Sequence, residues 1–372
     1  MNPTTIFIIA GENSGDLHAS KLMKELKRMK SDIQFIGIGG KRMVDEGLNC
    51  IYPLDKISVV GFTEVVKNIS KIKKAFDKCK ETLRSNFVDL VVLVDFPGFN
   101  LRVAESAKRL GLPVCYYIAP QLWAWGTHRI EKLKKFVDLL LVVFPFEEKF
   151  FSTYIDRVVF VGHPLLDEPM FQDNFPDFEE REDAIALLPG SRKTELFHHQ
   201  KLIYELVAIL KKKLPNYKIK IPVTNIYEIE TIKKILGLYS NEVEISLNSY
   251  EILKHSKVGI IKSGTSNLEA ALLGLPFVMF YKTSIPTYLI AKLLIKIEYL
   301  SIVNILLSGR YVPEFIQKEA SAEKIIKAML EMLTNREIYL EIQNKFREIK
   351  NIIGGSGASK RTAQEICNRF RI

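Results

Sequence analysis

Cysteine is scarce in this chain of 372 residues: Cys50, Cys79, Cys115 and Cys367 lie far apart, with no CxxC spacing. That excludes a zinc ribbon or a disulfide-stapled scaffold and suits a reducing compartment. Long apolar runs are also missing, because Asp95 closes the run 90–94 and Lys292 interrupts 285–297. Neither is long enough to span a bilayer. No charged leader with an apolar core precedes the first strand, so no signal peptide is expected. There is no GxGxxG, no HExxH and no paired acid motif, so no nicotinamide cofactor or metal is expected. Zinc fingers, RNP-like aromatics and Lys/Arg-rich tails are absent too, so no nucleic-acid partner is expected. Acidic residues fall short of basic ones, 43 against 53, leaving a net charge of +10. Such a surface suits acidic substrates or an anionic membrane.

What is present is an ordinary globular balance, 47% hydrophobic and 26% charged. The length calls for two domains. Strand and helix alternate through residues 1–168, with strands read at 5–10, 33–38, 88–94, 113–118, 139–143 and 157–161. Alternation of this kind predicts a parallel sheet covered on both faces. The pattern lapses over 169–183, a stretch with Pro176 and many acids that reads as a linker. It resumes over 184–350, with strands at 184–188, 217–221, 243–245, 258–261 and 276–281 and a long helix over 193–214. Strands are not expected after Tyr281, and 351–372 reads as a last helix.

The stretch VGIIKSGTSNLEAALLGLPFVMFY (258–281) reads as strand, turn, helix, strand. Ser263, Gly264 and Thr265 form a turn that exposes backbone N–H groups at a helix start, which suits a phosphate. Glu269, one turn further, suits sugar hydroxyls. At the first strand–helix junction of the same half, Ser191, Arg192 and Glu195 repeat this geometry. Arg192 is suited to a diphosphate or, more plainly, to a surface cap. In the first half, Gly11–Asp16 occupies the first βα junction. Asp16 reads as a cap on the following helix, with Glu12 and Ser14 turned to a ligand. Asp95 ends a buried strand and reads equally as a general base or a structural cap. Trp123 and Trp125, in one loop, read as a substrate wall more than as core. His163 lies at the expected hinge, either structural or part of a site. The basic segment 66–84 reads as a solvated helix with one core-facing stripe, or as a helix lying on anionic lipid.

The stretches AGENSGD, GIGGKRM, VVGFTEVV, VDFPGFN, APQLWAW, VFPFE, VGHPL, LLPGSRKTE, SGTSNLEAAL and YLSIVNILLSGRYVPEFIQ occur in an order and spacing that resemble the bacterial lipid-A-disaccharide synthase family over nearly the whole chain. Asn13 stands where the family more often has alanine, and Gly98 where it often has a second aspartate. The resemblance implies a GT-B-like fold, two Rossmann-like domains facing across a cleft, with extra C-terminal helices. It implies a peripheral inverting glycosyltransferase on the cytoplasmic side of the inner membrane. The donor would be UDP-2,3-diacylglucosamine and the acceptor 2,3-diacylglucosamine 1-phosphate (lipid X). The product would be the β-1,6-linked disaccharide 1-phosphate. It also implies a homodimer exchanging C-terminal segments, with Asn304 and Arg310 serving the partner's site. Asp95 would be the catalytic base, and Arg192 with the turn at 263–265 would hold the donor. Rival readings are a nucleotide-sugar epimerase and a non-catalytic membrane-surface UDP-sugar-binding protein.

Overall fold

The computed structural model describes residues 3–54, 69–85, 87–124, 129–294 and 297–372. Trp125, the VVGFTEVV stretch and residues 66–68 of the basic segment lie outside them. The chain divides into two compact units, one of residues 1–168 with 353–372 and one of residues 169–352.

The first unit is built on seven parallel strands: β1 Thr5–Ala10, β2 Gln34–Gly39, β3 Leu48–Pro53, β4 Leu90–Val94, β5 Val114–Tyr117, β6 Leu139–Val142 and β7 Val158–Phe160. Their order is β3-β2-β1-β4-β5-β6-β7. The centre is buried on both faces, Ile6–Ala10 and Leu90–Val94 having no exposed surface, as unbroken β-branched and aliphatic runs require. Helices cover both faces with one apolar stripe each. Helix Asn13–Met29 buries Ala19, Leu22, Met23 and Leu26, and helix Pro97–Arg109 buries Val103, Ala104 and Ala107. In helix Ile69–Ser85 the stripe Ala75, Cys79 and Leu83 joins the core. Its basic face is solvated, and Ile69 at its start is exposed.

The second unit holds six parallel strands: β8 Glu182–Leu188, β9 Lys218–Pro222, β10 Val243–Ser246, β11 Ser256–Lys262, β12 Phe277–Tyr281 and β13 Glu314–Ile316. Their order is β10-β9-β8-β11-β12-β13. Strand β13 corrects the expectation that strands stop at Tyr281. It and β3 are edge strands; β13 is only three residues long, and the mixed burial of β3 shows no period of two.

The stretch 169–183 is not a free linker. Phe171 and Phe175 are buried, and Arg181 is 3% exposed. The Arg181 guanidinium donates to the carbonyls of Lys254 (2.9 Å), Ser256 (3.0 Å), Leu273 (2.9 Å) and Gly274 (2.9 Å). It thereby closes the ends of helices Ser249–His255 and Thr265–Leu272, and β8 begins at Glu182. The last helix, Ala358–Phe370, packs on helix Asn13–Met29 of the same chain. Asp167 accepts from the N–H groups of Gly357 (2.6 Å), Ala358 (3.0 Å) and Ser359 (2.8 Å) at its start. Arg361 donates to the carbonyl of Val161 at 2.8 Å. The C-terminal segment is thus an integral part of the first unit.

Candidate active site

In each sheet the strand order reverses once, between β1 and β4 and between β8 and β11. Ligands of open α/β sheets bind outside the carboxyl ends of the strands at such reversals. The candidate residues gather at these two edges.

In the first unit Ala10 pairs with Val94, so Gly11 and Asp95 leave the sheet side by side. The Phe96 ring lies over Gly11, where a Cβ would come within 2.1 Å of it. Asp95 and Phe96 both adopt left-handed backbone, each at φ 49°. Such a pair of non-glycine residues is strained and persists only where its surroundings hold it. Here the buried Asn100 donates to the carbonyls of Val94 (3.2 Å) and Asp95 (2.8 Å), and the Tyr116 hydroxyl donates to the Asp95 carbonyl at 2.6 Å. With its backbone fixed in this way, the half-buried Asp95 side chain is presented at the strand end. Helix Asn13–Met29 opens at the neighbouring β1 end, with Glu12 at its N-cap and Ser14 exposed in its first turn. Asp16 lies inside that helix. Its carboxylate accepts instead from the N–H groups of Gly40 (2.8 Å), Arg42 (3.2 Å) and Met43 (3.2 Å), capping helix Lys41–Asp45. This corrects the reading of Asp16 as a cap on its own helix.

Trp123 donates from Nε1 to Glu147 at 2.9 Å and meets the Phe146 ring edge-on at 4.9 Å. Glu147 is 1% exposed. Burial pushes its carboxyl up to about 7, against the hydrogen bonds from Trp123 and the N–H groups of Phe144 and Val143, and the charge of Asp95 adds to the rise. His163 stands 5.2 Å from Phe144 and 6.2 Å from His18. Its Nδ1 accepts from the Leu165 N–H at 3.2 Å. Burial, then the charge of His18, pushes it down to about 3, so it stays neutral. His163 therefore combines a turn-capping role with a place at the sheet edge.

In the second unit Leu188 pairs with Ile261, and helices Lys193–Lys213 and Thr265–Leu272 start just beyond these strands. Two helix starts, with the positive ends of their dipoles, therefore open side by side. Glu195 is 8% exposed and binds Lys262 Nζ at 2.8 Å, with Arg192 Nη1 at 3.5 Å. Gly190 (φ +103°) lets it approach, since a Cβ there would sit 2.6 Å from its carboxylate. Ser191 is exposed on the same turn, and Ser263 is half-buried. The buried Asn267 donates to the Lys262 carbonyl at 3.0 Å and holds the second turn. Glu195 is thus a positioning carboxylate for two cations rather than a free ligand for an anion. Glu269 meets the Tyr250 hydroxyl at 3.5 Å, and burial pushes it up to about 7 despite that bond.

Two of the candidate residues lie elsewhere. Asn304 is fully buried. Its amide donates to the Val312 carbonyl (2.8 Å) and Glu314 (2.9 Å) and accepts from the N–H groups of Tyr311 (3.0 Å) and Val312 (2.9 Å). Its hydrogen-bonding capacity is spent inside the second unit, tying helix Ile302–Leu307 to β13. Arg310, close by, is exposed. Glu147, Lys262 and Asn100 are the residues that sequence reading leaves out. All three lie within stretches already singled out: VFPFE, the stretch that runs into SGT, and VDFPGFN. Among the described residues no group of three or more His, Cys, Asp or Glu is arranged to hold a metal. No helix among them is long and apolar enough to cross a membrane.

Two Rossmann-like units, each with its polar groups at a strand-order reversal, define the GT-B class of fold. CalG4, the calicheamicin glycosyltransferase, has this fold with a TM-score of 0.62 and 14% identity, covering 100% of this chain and 99% of its own. So does UDP-GlcNAc 2-epimerase from Neisseria meningitidis, solved bound to UDP-GlcNAc, with a TM-score of 0.67 and 14% identity over 98% of this chain and 100% of that one. Sequence goes further. The family model described as lipid-A-disaccharide synthetase matches residues 6–366. Lipid-A-disaccharide synthase of Persephonella marina (strain DSM 14350 / EX-H1) is 37% identical over 377 residues, covering 97% of each chain. The chain belongs to the lipid-A-disaccharide synthetase family, and it is a glycosyltransferase.

Proposed function

We propose that this chain transfers the diacylglucosamine unit of UDP-2,3-diacylglucosamine to the 6-hydroxyl of 2,3-diacylglucosamine 1-phosphate. The observation that carries this is the pair of helix starts at β8 and β11 with Arg192 and Lys262 set beside them by Glu195. Such a site neutralises the diphosphate as it leaves, and fixed donors aimed at developing charge lower a barrier most. Ser191 and the turn at 263–265 supply further donors, and Glu269 accepts from the ribose. Asp95 acts as general base and removes the proton of the acceptor 6-hydroxyl. That oxygen bonds to the anomeric carbon while the bond to UDP breaks, and the electron pair departs with the phosphate. One displacement from the opposite face inverts the carbon and gives the β-1,6 linkage. Glu12, Ser14, Trp123 and His163 line the acceptor's side. Trp125 lies outside the described residues. The enzyme works at the cytoplasmic face of the inner membrane, where its acylated substrates reside.

The test is incubation with both diacylated substrates and mass analysis of the product, with and without EDTA. A tetraacyl disaccharide 1-phosphate and free UDP are expected. An epimerised UDP-sugar formed without acceptor would overturn the reading. Asp95→Ala should lose about 10²–10⁴-fold in turnover, the worth of a general base, while UDP binding measured by calorimetry stays intact. Near-normal turnover would remove Asp95 from this role.

A further inference from the structure

Helix Ile285–Leu294 buries none of its described side chains. Ile285, Leu289 and Leu293 are 73%, 54% and 83% exposed, and their spacing of four puts them on one face. A helix this short is marginal in water unless its apolar face is covered, and a row of large aliphatics in the open marks a contact surface.

The root of this helix is firmly held. The Lys282 N–H donates to His199 Nε2 at 3.2 Å, and the Thr283 carbonyl accepts from the Gln317 amide at 3.0 Å. The other ring nitrogen of His199 lies 2.7 Å from the Pro189 carbonyl, on the turn that leads to Ser191 and Arg192. Because β12 runs parallel to β11, the helix leaves the same sheet edge as the turn at 263–265. An anchored base and an uncovered apolar face describe an element shaped for something outside the unit.

Charge selects the occupant. Over residues 282–297 the sequence has Lys282, Lys292 and Lys296 and no acid. Lys292 is exposed on the helix, and Lys282 stands at its root. Apolar residues that sink to the acyl boundary, with lysines reaching back to headgroups, are the pattern of an interfacial helix on anionic lipid. We infer that helix Ile285–Leu294 docks into the surface of a bilayer bearing anionic lipids. This rests on the synthase reading in one respect: an acylated donor comes from that bilayer, so the donor turn and the docking helix share an edge.

The test is flotation of the full chain with phosphatidylcholine vesicles, with and without phosphatidylglycerol. Binding should rise when phosphatidylglycerol is present. The variant Ile285→Ser, Leu289→Ser, Leu293→Ser should lose at least about tenfold in vesicle partitioning while keeping UDP affinity. Lys292→Gln should lose about fivefold, on the anionic vesicles only. Wild-type flotation of the serine variant would overturn the proposal. So would a change of that variant from dimer to monomer in sedimentation with flotation retained, which would make the occupant a second copy. Should the serine variant lose UDP binding as well, Leu293→Trp replaces it. Its added emission should shift to the blue on anionic vesicles, and an unshifted band would refute docking. Flotation does not read catalysis. Absent disaccharide synthesis with helix-dependent flotation would count against the synthase reading alone.

Discussion

Glu269 is held where a carboxyl changes charge near neutrality, about 7, because burial outweighs the bond from Tyr250. In the role proposed for it, accepting from ribose hydroxyls, it must be ionised. Donor affinity should therefore strengthen as pH rises through 7 and weaken below it, by about tenfold between pH 6 and 8. Glu269→Gln should flatten that portion of the profile in UDP titrations, and an unchanged slope would show that Glu269 does not face the nucleotide. It stood out as a candidate in the sequence because a turn, a helix start and a carboxylate follow one another within a few residues. Lys262 and Glu147 could not be read in that way. Lys262 matters through Glu195, and Glu147 through Trp123, and neither pairing has a local signature. Asn304 is of the same kind: its side chain ties helix Ile302–Leu307 to β13 through residues 311, 312 and 314, contacts that spacing along the chain does not announce.

The turn after β4 belongs to the scale of elements. Asp95 and Phe96 keep left-handed backbone because Asn100 and Tyr116 hold the Asp95 carbonyl from a following helix and an adjacent strand. Asn100→Leu removes two donors from buried carbonyls and should cost about 2–3 kcal/mol in urea unfolding. It should also lower turnover with UDP affinity unchanged, since the residues proposed to hold the nucleotide belong to the other unit. The alternation of strands and helices was legible because each core strand is a short apolar run and each helix shows one stripe. Strands β3 and β13 and the packed stretch 169–183 were not. Proline and acids there look like loop chemistry, and the decisive group, Arg181, acts through carbonyls of residues 254, 256, 273 and 274.

At the scale of the whole chain, both ends of the sequence build one unit and the middle builds the other. Helix Ala358–Phe370 buries Ala358, Thr362, Ala363 and Ile366 in the first unit. Ending the chain at Ile352 should therefore lower one thermal transition in calorimetry by several degrees and leave a second in place. A single transition that moves as a whole would show that the two units unfold together. The same layout sets an order of events during synthesis. Residues 353–372 leave the ribosome only after the entire second unit has emerged, so that unit can fold while the first still lacks its last helix. Until Asp167 finds the N–H groups of Gly357, Ala358 and Ser359, the face of helix Asn13–Met29 that receives the last helix stays open. It is the surface of the nascent chain on which a chaperone would act longest.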